Sequence, residues 1–339
     1  MTDEILTLLD RVDPVDRERL RTRSTPEDEL QAILAANLTA PPPPRRPLLR
    51  RAVPIAAGFA VLLVAGAALL PGEDGGASPE AARALESAAA VAADDVPPAG
   101  PGRYSYSRVR QASLATAVGS RGDSYSFYMP RTIEAWIAPN GAGRVRETRD
   151  AAEWPGPRDE ARWRKSGHSL GWGERATDRR YAPGELDGRP YEEALPPVSE
   201  LPADPGDLAE VFEDERNESS SSVPLNAKMF EYGISVLLQP ASPPELRSAT
   251  YRVLAGVEGV ELVGERRDPL GRLGTEVSIT TTYSGDVPER SSLIYDAETA
   301  HALAYVQRLT EPAPYIDSRL TGYTVLEESG YVPSVTERP

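Results

Sequence analysis

The sequence predicts an α+β fold in which an antiparallel sheet packs on helices, preceded by one transmembrane helix. Two observations support this prediction. A run of nineteen residues, 52–70, contains no charged residue. After it, the hydrophobic pattern changes in blocks, in the order helix, strands, helices, strands. Blocks of this kind, without strict alternation of strand and helix, are typical of α+β domains with antiparallel pairing.

The apolar run from Ala52 to Leu70 has the length of a membrane-spanning helix. At a rise of about 1.5 Å per residue it extends roughly 28 Å, close to the thickness of a hydrocarbon core. Four arginines lie within 45–51, whereas Glu73 and Asp74 follow the run. The positive-inside rule therefore predicts a cytoplasmic N-terminus. A cleaved secretory signal and a buried core helix are the alternatives.

These features divide the chain into four parts. Residues 1–51 form a cytoplasmic segment with two short helices and a proline-rich tether, and 52–71 form the transmembrane helix. Residues 72–101 form a juxtamembrane linker and helix, and 102–339 form the extracytoplasmic domain. The juxtamembrane helix, which Ser78 opens, is rich in alanine and is expected to pack closely on a sheet.

Composition excludes several kinds of site. The chain has no cysteine, which rules out disulfides, thiolate metal ligands, a cysteine nucleophile and a lipid-modified cysteine. Residues 1–51 carry equal numbers of arginine and acidic residues, so the part after them holds the whole net charge of −15. This negative charge would repel the phosphate backbone, so a nucleic-acid partner is disfavoured. No phosphate loop, dinucleotide motif or metal-ligand cluster is present, so no cofactor is predicted.

The outer domain is predicted to hold two antiparallel meanders with helices between them. Two-residue alternation predicts strands over 104–109, 127–138, 144–147 and 277–283. Helical periodicity predicts one helix over 224–238 and a second that begins after Ser242. The segment 151–201 lacks a sustained period, and we expect loops and short strands there.

Catalytic chemistry has little support in the sequence, and no catalytic residue is predicted. His168 and His301 are the two histidines, and no G-x-S-x-G motif accompanies them. A hydrolase would need a serine or aspartate within hydrogen-bonding reach of one of them, in a cleft. Asp268 and Asp296 stand where turns favour a side chain that bonds its own backbone, so we interpret both as turn residues.

Aromatic residues give the candidate ligand site. If a curved sheet leaves a hollow beneath the helices, its aromatic side chains could line a site for a lipid or a peptide. The alternative is that they simply fill the core. The candidates are Tyr104, Tyr106, Phe127, Tyr128 and Trp136.

Several segments together carry a family resemblance. They are the arginine-flanked anchor, GRYSYSRV after it, the helical stretch that begins PLNAKMFEYGISVLLQP, the hairpin DPLGR and the turn LIYDAETAHAL. With them the chain resembles an uncharacterised family of actinobacterial single-pass membrane proteins, often encoded beside extracytoplasmic-function sigma factors. The pattern is also similar to the half-barrel of periplasmic lipoprotein carriers and sigma-regulator sensor domains. The resemblance implies membrane-proximal signalling and brings no catalytic residue with it.

The sequence therefore predicts a non-enzymatic, membrane-anchored binding or sensor module, linked to sigma-factor signalling. Residues 1–40 either bind a cytoplasmic protein partner or form an inert tail, since two short helices cannot bury a core. They lack the His and Cys zinc motif of many anti-sigma factors. A membrane-tethered lipid or lipoprotein carrier is the main alternative, and a hydrolase is the third.

Overall fold

The computed structural model describes nine ranges of the chain and one isolated residue, all after residue 75. They are 76–95, 104–118, 124–167, 170, 175–186, 195–218, 223–239, 241–282, 287–311 and 318–339. None of the helices within these ranges is long and apolar enough to cross a membrane. The predicted membrane-spanning run at 52–70 lies outside the described residues.

Five helices and nine strands make up the described part of the chain. The helices are α1 (Pro79–Asp94), α2 (Pro157–Ser166), α3 (Pro205–Glu218), α4 (Leu225–Leu237) and α5 (Pro244–Gly256). The strands are β1 (Tyr104–Val118), β2 (Ser124–Ile137), β3 (Gly143–Arg149), β4 (Ala176–Tyr181), β5 (Glu261–Arg267), β6 (Leu273–Thr281), β7 (Glu289–Tyr295), β8 (Ala302–Leu309) and β9 (Leu320–Val332).

The nine described strands form one sheet in which every neighbouring pair is antiparallel. Its order is β4-β3-β2-β1-β9-β8-β7-β6-β5. The sheet thus consists of two meanders, β1 to β4 and β5 to β9, joined where β1 pairs with β9. The predicted α+β class and the antiparallel pairing are confirmed, while the half-barrel curvature stays a prediction.

The two faces of the sheet have different environments. Val109 of β1 belongs to the main core, where it packs with Ile279, Leu293 and the helices. Tyr106 lies three residues earlier on β1, so strand alternation places it on the opposite face. There it packs with Trp136 in a separate small cluster. The helices cover the first face, called here the helix face, and the second is called the far face.

Helix α1 is an integral part of the core. Ser78 caps it by accepting a hydrogen bond from the Ala81 amide at 3.2 Å. Its buried side chains are small apart from one leucine: Ala81, Leu85, Ala88, Ala89 and Ala92. This surface was expected to meet a sheet, but its principal neighbour is helix α5. Small alanine side chains allow a helix to pack closely on another helix as well as on a sheet, so composition alone does not decide between the two.

Helices α4 and α5 are fixed to each other and to the sheet. A Cβ atom at Gly233 of α4 would lie 2.6 Å from Cδ2 of Leu254 on α5, so any other residue there would displace the buried Leu254 side chain. The hydroxyl of Tyr251, fully buried on α5, donates to the Ala300 carbonyl at 3.0 Å, beside the start of β8. Both helices were predicted from their periodicity, and the structure confirms them.

Two turn predictions are confirmed, and one segment differs from expectation. The Asp268 carboxylate accepts hydrogen bonds from the Leu270 and Arg272 amides, both at 2.9 Å. Asp296 accepts from the amides of Glu298 and Thr299, within its own turn. In the segment expected to hold only loops and strands, the chain forms α2 as well as β4. Helix α2 buries Asp159 alone, so no apolar stripe marks it in the sequence.

Candidate functional site

A groove lies on the helix face of the sheet, between α4 and the strands at the β1–β9 junction. Its volume is about 280 Å³. Helix α4 forms one wall, and β1, β2, β8 and β9 form the floor and the other wall. Polar side chains on its lining include Gln111, Ser113, Arg131, Glu231, Ser235, Tyr305, Gln307 and Thr324. We call this feature the α4 groove.

The floor of the α4 groove is a hydrogen-bonded polar layer. Arg131 donates through Nε to the Gln111 side-chain oxygen at 2.9 Å, across the β1–β2 pair. Gln307 donates through Nε2 to Glu289 at 3.1 Å. These bonds hold the amide and guanidinium groups in place while 39 % of the Arg131 side chain stays exposed. A fixed polar group that still faces solvent is suited to bind a polar ligand.

Opposite charges face each other across the α4 groove. Arg131 lies on the sheet, and Glu231 on α4 forms an ion pair with Lys228 at 3.2 Å. Burial raises the pKa of the Glu289 carboxyl, and the nearby charge of Glu231 raises it further. Hydrogen bonds from Thr321 and Gln307 act in the opposite direction, because they favour the ionised form. The lining of the groove therefore presents the Arg131 cation on the sheet and the Glu231 carboxylate on α4.

The predicted aromatic residues lie elsewhere. Tyr106 and Trp136 pack together on the far face, with ring centroids 5.1 Å apart, and Tyr104 packs beside them. Phe127 packs against Trp154 at 5.9 Å. The structure thus brings three of the five together and leaves the others apart.

Tyr128 is the fifth predicted aromatic residue. Its hydroxyl donates to the Leu320 carbonyl at 2.7 Å, and it also lies 2.6 Å from the Ser318 hydroxyl. None of the five lines the α4 groove. Their role in lining a ligand site stays a prediction.

A charged cluster outside the α4 groove surrounds His301. Its Nε2 lies 3.3 Å from Asp95 Oδ2, and Arg247 donates to the same carboxylate oxygen. The cluster borders a cavity of about 250 Å³ that also contains Ser242. The Ser242 hydroxyl donates to the Val236 carbonyl at 2.7 Å, so its proton is already engaged. The histidine and aspartate that the hydrolase hypothesis requires do meet here. His168 lies outside the described residues.

Metal ligands do not cluster in the described part of the chain. No group of three or more His, Asp or Glu side chains there is arranged to hold a metal ion.

Comparison with known proteins gives weak likenesses. No protein-family model matches the chain, and no curated protein matches it. Two similar solved structures are the MucA/MucB complex of Pseudomonas aeruginosa and MucB in complex with MucA(peri). Each shows 12 % sequence identity and a TM-score of 0.26, and the matches cover 74 % and 76 % of this chain. The chain spans 57 % of the length of the structures it matches. A TM-score this low does not establish a common fold or function.

Glu289→Gln is expected to stabilise the protein at neutral pH. Because the pKa of Glu289 is raised above its ordinary value of 4.5, the folded protein binds this proton more tightly than the unfolded chain does. Stability is therefore lost as the pH rises from about 4.5 through the raised pKa, and glutamine removes that loss. Thermal unfolding should show a higher midpoint for the variant at pH 7.5 and little difference at pH 4.

Glu298→Gln is the matched control, because it makes the same substitution at an exposed position on the β7–β8 turn. A lower midpoint for Glu289→Gln at pH 7.5 would mean that the charge of Glu289 stabilises the fold, contrary to this expectation.

Proposed function

We propose that the chain is a membrane-anchored binding or sensor module whose outer domain binds an extended segment of a protein ligand in the α4 groove. The main support is the lining of that groove, where Gln111, Arg131 and Gln307 lie opposite Glu231 and Ser235. Amide, hydroxyl and charged groups can pair with the N–H and C=O groups of a peptide backbone. An acyl chain would displace water from these groups and offer no partner to their remaining donors and acceptors, at a cost of about 1–3 kcal/mol for each one left unsatisfied.

Membrane anchoring is supported by the sequence. The run at 52–70 has the length and the arginine flank of a single-pass helix with its N-terminus in the cytoplasm. Helix α1 begins at Pro79, nine residues after the run, and it is built into the core. In this arrangement a linker of eight residues, 71–78, separates the run from α1, so the outer domain lies close to the membrane surface.

The cytoplasmic segment is the proposed signalling arm. The sequence predicts two amphipathic helices within residues 1–40. They are too short to bury a core of their own, so a protein partner is the natural cover for their apolar faces. The family resemblance makes a sigma factor the proposed partner. Ligand in the α4 groove would then be sensed on one side of the membrane and reported on the other.

One observation favours the alternative of a lipid or lipoprotein carrier. A cavity of about 600 Å³ lies among α3, α4 and α5, and its lining includes Leu225, Met229, Val253 and Val257. It lies within the helical layer, whereas a carrier of half-barrel type would hold an acyl chain between sheet and helices. The chain is proposed to be non-enzymatic, since Ser242 beside His301 is bonded to a backbone carbonyl.

Affinity capture of the full-length protein in mild detergent tests both arms of the proposal. Arg131→Glu reverses the charge at this position, so that a carboxylate lies across the groove from Glu231 and the hydrogen bond to Gln111 is lost. It should reduce recovery of the outer ligand more than about tenfold. It should leave recovery of a sigma factor unchanged. A chain without residues 1–40 should show the reverse pattern.

Arg179→Glu is the matched control, because it makes the same charge change at an exposed position on β4. Equal recovery of every protein by the Arg131 and Arg179 variants would exclude the groove as the ligand site. Equal recovery with and without residues 1–40 would exclude the cytoplasmic segment as the signalling arm.

Topology has its own test. A reporter enzyme that is active only outside the cytoplasm, fused after Pro339, should be active in intact cells. The same reporter fused after Ala40 should be silent. The opposite result at both positions would reverse the proposed orientation.

A further inference from the structure

The last seven residues of the chain, 333–339, lie across the far face of the sheet. Strand β9 ends at Val332, and the segment then crosses β1, β2 and β3. Trp136 of β2 donates through its indole N–H to the Glu337 carbonyl at 2.7 Å. Arg144 of β3 donates to the Val335 carbonyl at 3.1 Å. We call residues 333–339 the tail.

Two side chains of the tail enter specific surroundings. Val335 packs on the aromatic cluster of Tyr106 and Trp136. Arg338, three residues later, forms an ion pair with Glu134 at 2.6 Å. Glu134 has only 6 % of its surface exposed, so the ion pair is at the floor of the site. An aliphatic side chain and an arginine three positions apart are therefore both recognised, along with two backbone carbonyls.

The site is complete without the tail. Glu134 also accepts a hydrogen bond from the Tyr106 hydroxyl at 3.1 Å and lies 3.5 Å from Arg146. The Tyr106 and Trp136 rings are held by the pairing of β1 with β2. All these groups lie on strands, so their positions depend on the sheet and not on the segment that covers them. We call the set formed by Tyr106, Glu134, Trp136 and Arg144 the tail site.

The tail is held more loosely than the strands. A backbone–backbone hydrogen bond joins Glu337 to Ser334 within the tail, and the tail pairs with no strand in the described part of the chain. Most of its residues are exposed. It can therefore leave the sheet by losing side-chain contacts and two carbonyl contacts, without breaking a β ladder.

We propose that the tail site is a second binding site, which recognises a short, turn-forming segment of a partner protein and which the tail occupies in cis. The partner segment carries a small aliphatic residue and an arginine three positions later, as Val335 and Arg338 do. The buried Glu134 carboxylate favours such a partner, because an arginine at this position forms an ion pair with it, as Arg338 does. This site lies on the opposite face of the sheet from the α4 groove and does not depend on the function proposed for it.

Release of the tail in the full-length chain tests this inference. The double substitution V335S and R338Q removes both specific contacts, and a fluorescent peptide with the sequence PSVTERP supplies them in trans. Anisotropy should show saturable binding to the released chain and at least about tenfold weaker binding to the wild-type chain, whose site is occupied. Adding E134Q to the released chain should weaken binding roughly tenfold, since it removes a charge-assisted contact. A peptide carrying the same two substitutions should not bind.

Three results would overturn the inference. The released chain could unfold with the wild-type midpoint and still show no saturable peptide binding. E134Q could leave the affinity unchanged. The wild-type chain could form a dimer in analytical ultracentrifugation that the released chain does not form, which would assign the site to the tail of a second copy.

A second measurement decides the matter if the released chain does not fold. Because the protein has no cysteine, V335C and V332C each place a single thiol in an otherwise wild-type chain. Val332 is 2 % exposed at the end of β9 and serves as the control. Labelling at 335 should be nearly independent of urea, whereas labelling at 332 should accelerate with urea. The same urea dependence at both positions would mean that the tail opens only on global unfolding, and the inference would fail.

Discussion

The pairing of β1 with β9 is the contact on which the rest of the structure depends. These strands belong to meanders that are separated in sequence by the helices α3 to α5, and their ladder joins the meanders into one sheet. The register sets Gln111 opposite Thr324 and Tyr106 opposite Gly330. Side chains alternate along β1, so Gln111 faces the α4 groove and Tyr106 faces the tail site, while a register shift in the ladder at Arg108/Val109 keeps β9 paired past both positions. One ladder therefore positions both proposed sites, on opposite faces of the sheet.

Elements whose signals are local could be predicted from the sequence. Helix α4 has an apolar stripe and follows Pro224, and the turn at Asp268 contains the residues that such a turn requires. Helix α2 was not predicted, although it has glycines at both ends, Gly156 and Gly167, with Gly167 in the left-handed conformation. These glycines are start and stop signals for a helix. Asp159 is the residue that the helix buries, so the sequence shows no apolar residues at helical spacing between the two signals.

The α4 groove could not be predicted from local patterns. Its polar lining comes from β1, β2, α4, β8 and β9, and each of these residues alone resembles an ordinary solvated side chain. Aromatic type drew attention instead to Tyr106 and Trp136. Side chains alternate along a strand, and Tyr106 and Trp136 lie an odd number of residues from Gln111 and Arg131. The pairing of β1 with β2 therefore places the two aromatic residues on the far face, away from the groove. Local sequence patterns do not reveal which distant strands pair, and this pairing decides which face of the sheet the helices cover.

Site-specific photo-crosslinking in intact cells tests the central claim most directly, because it captures whatever protein lies in the α4 groove, even when the identity of that protein is unknown. Ser113 is exposed within the groove, and Thr116, three residues along β1, is exposed on the far face. A photoreactive residue at 113 should form a crosslink to another protein, and the same residue at 116 should not form that crosslink. An identical crosslinking pattern at the two positions would contradict the assignment of the α4 groove as the binding site.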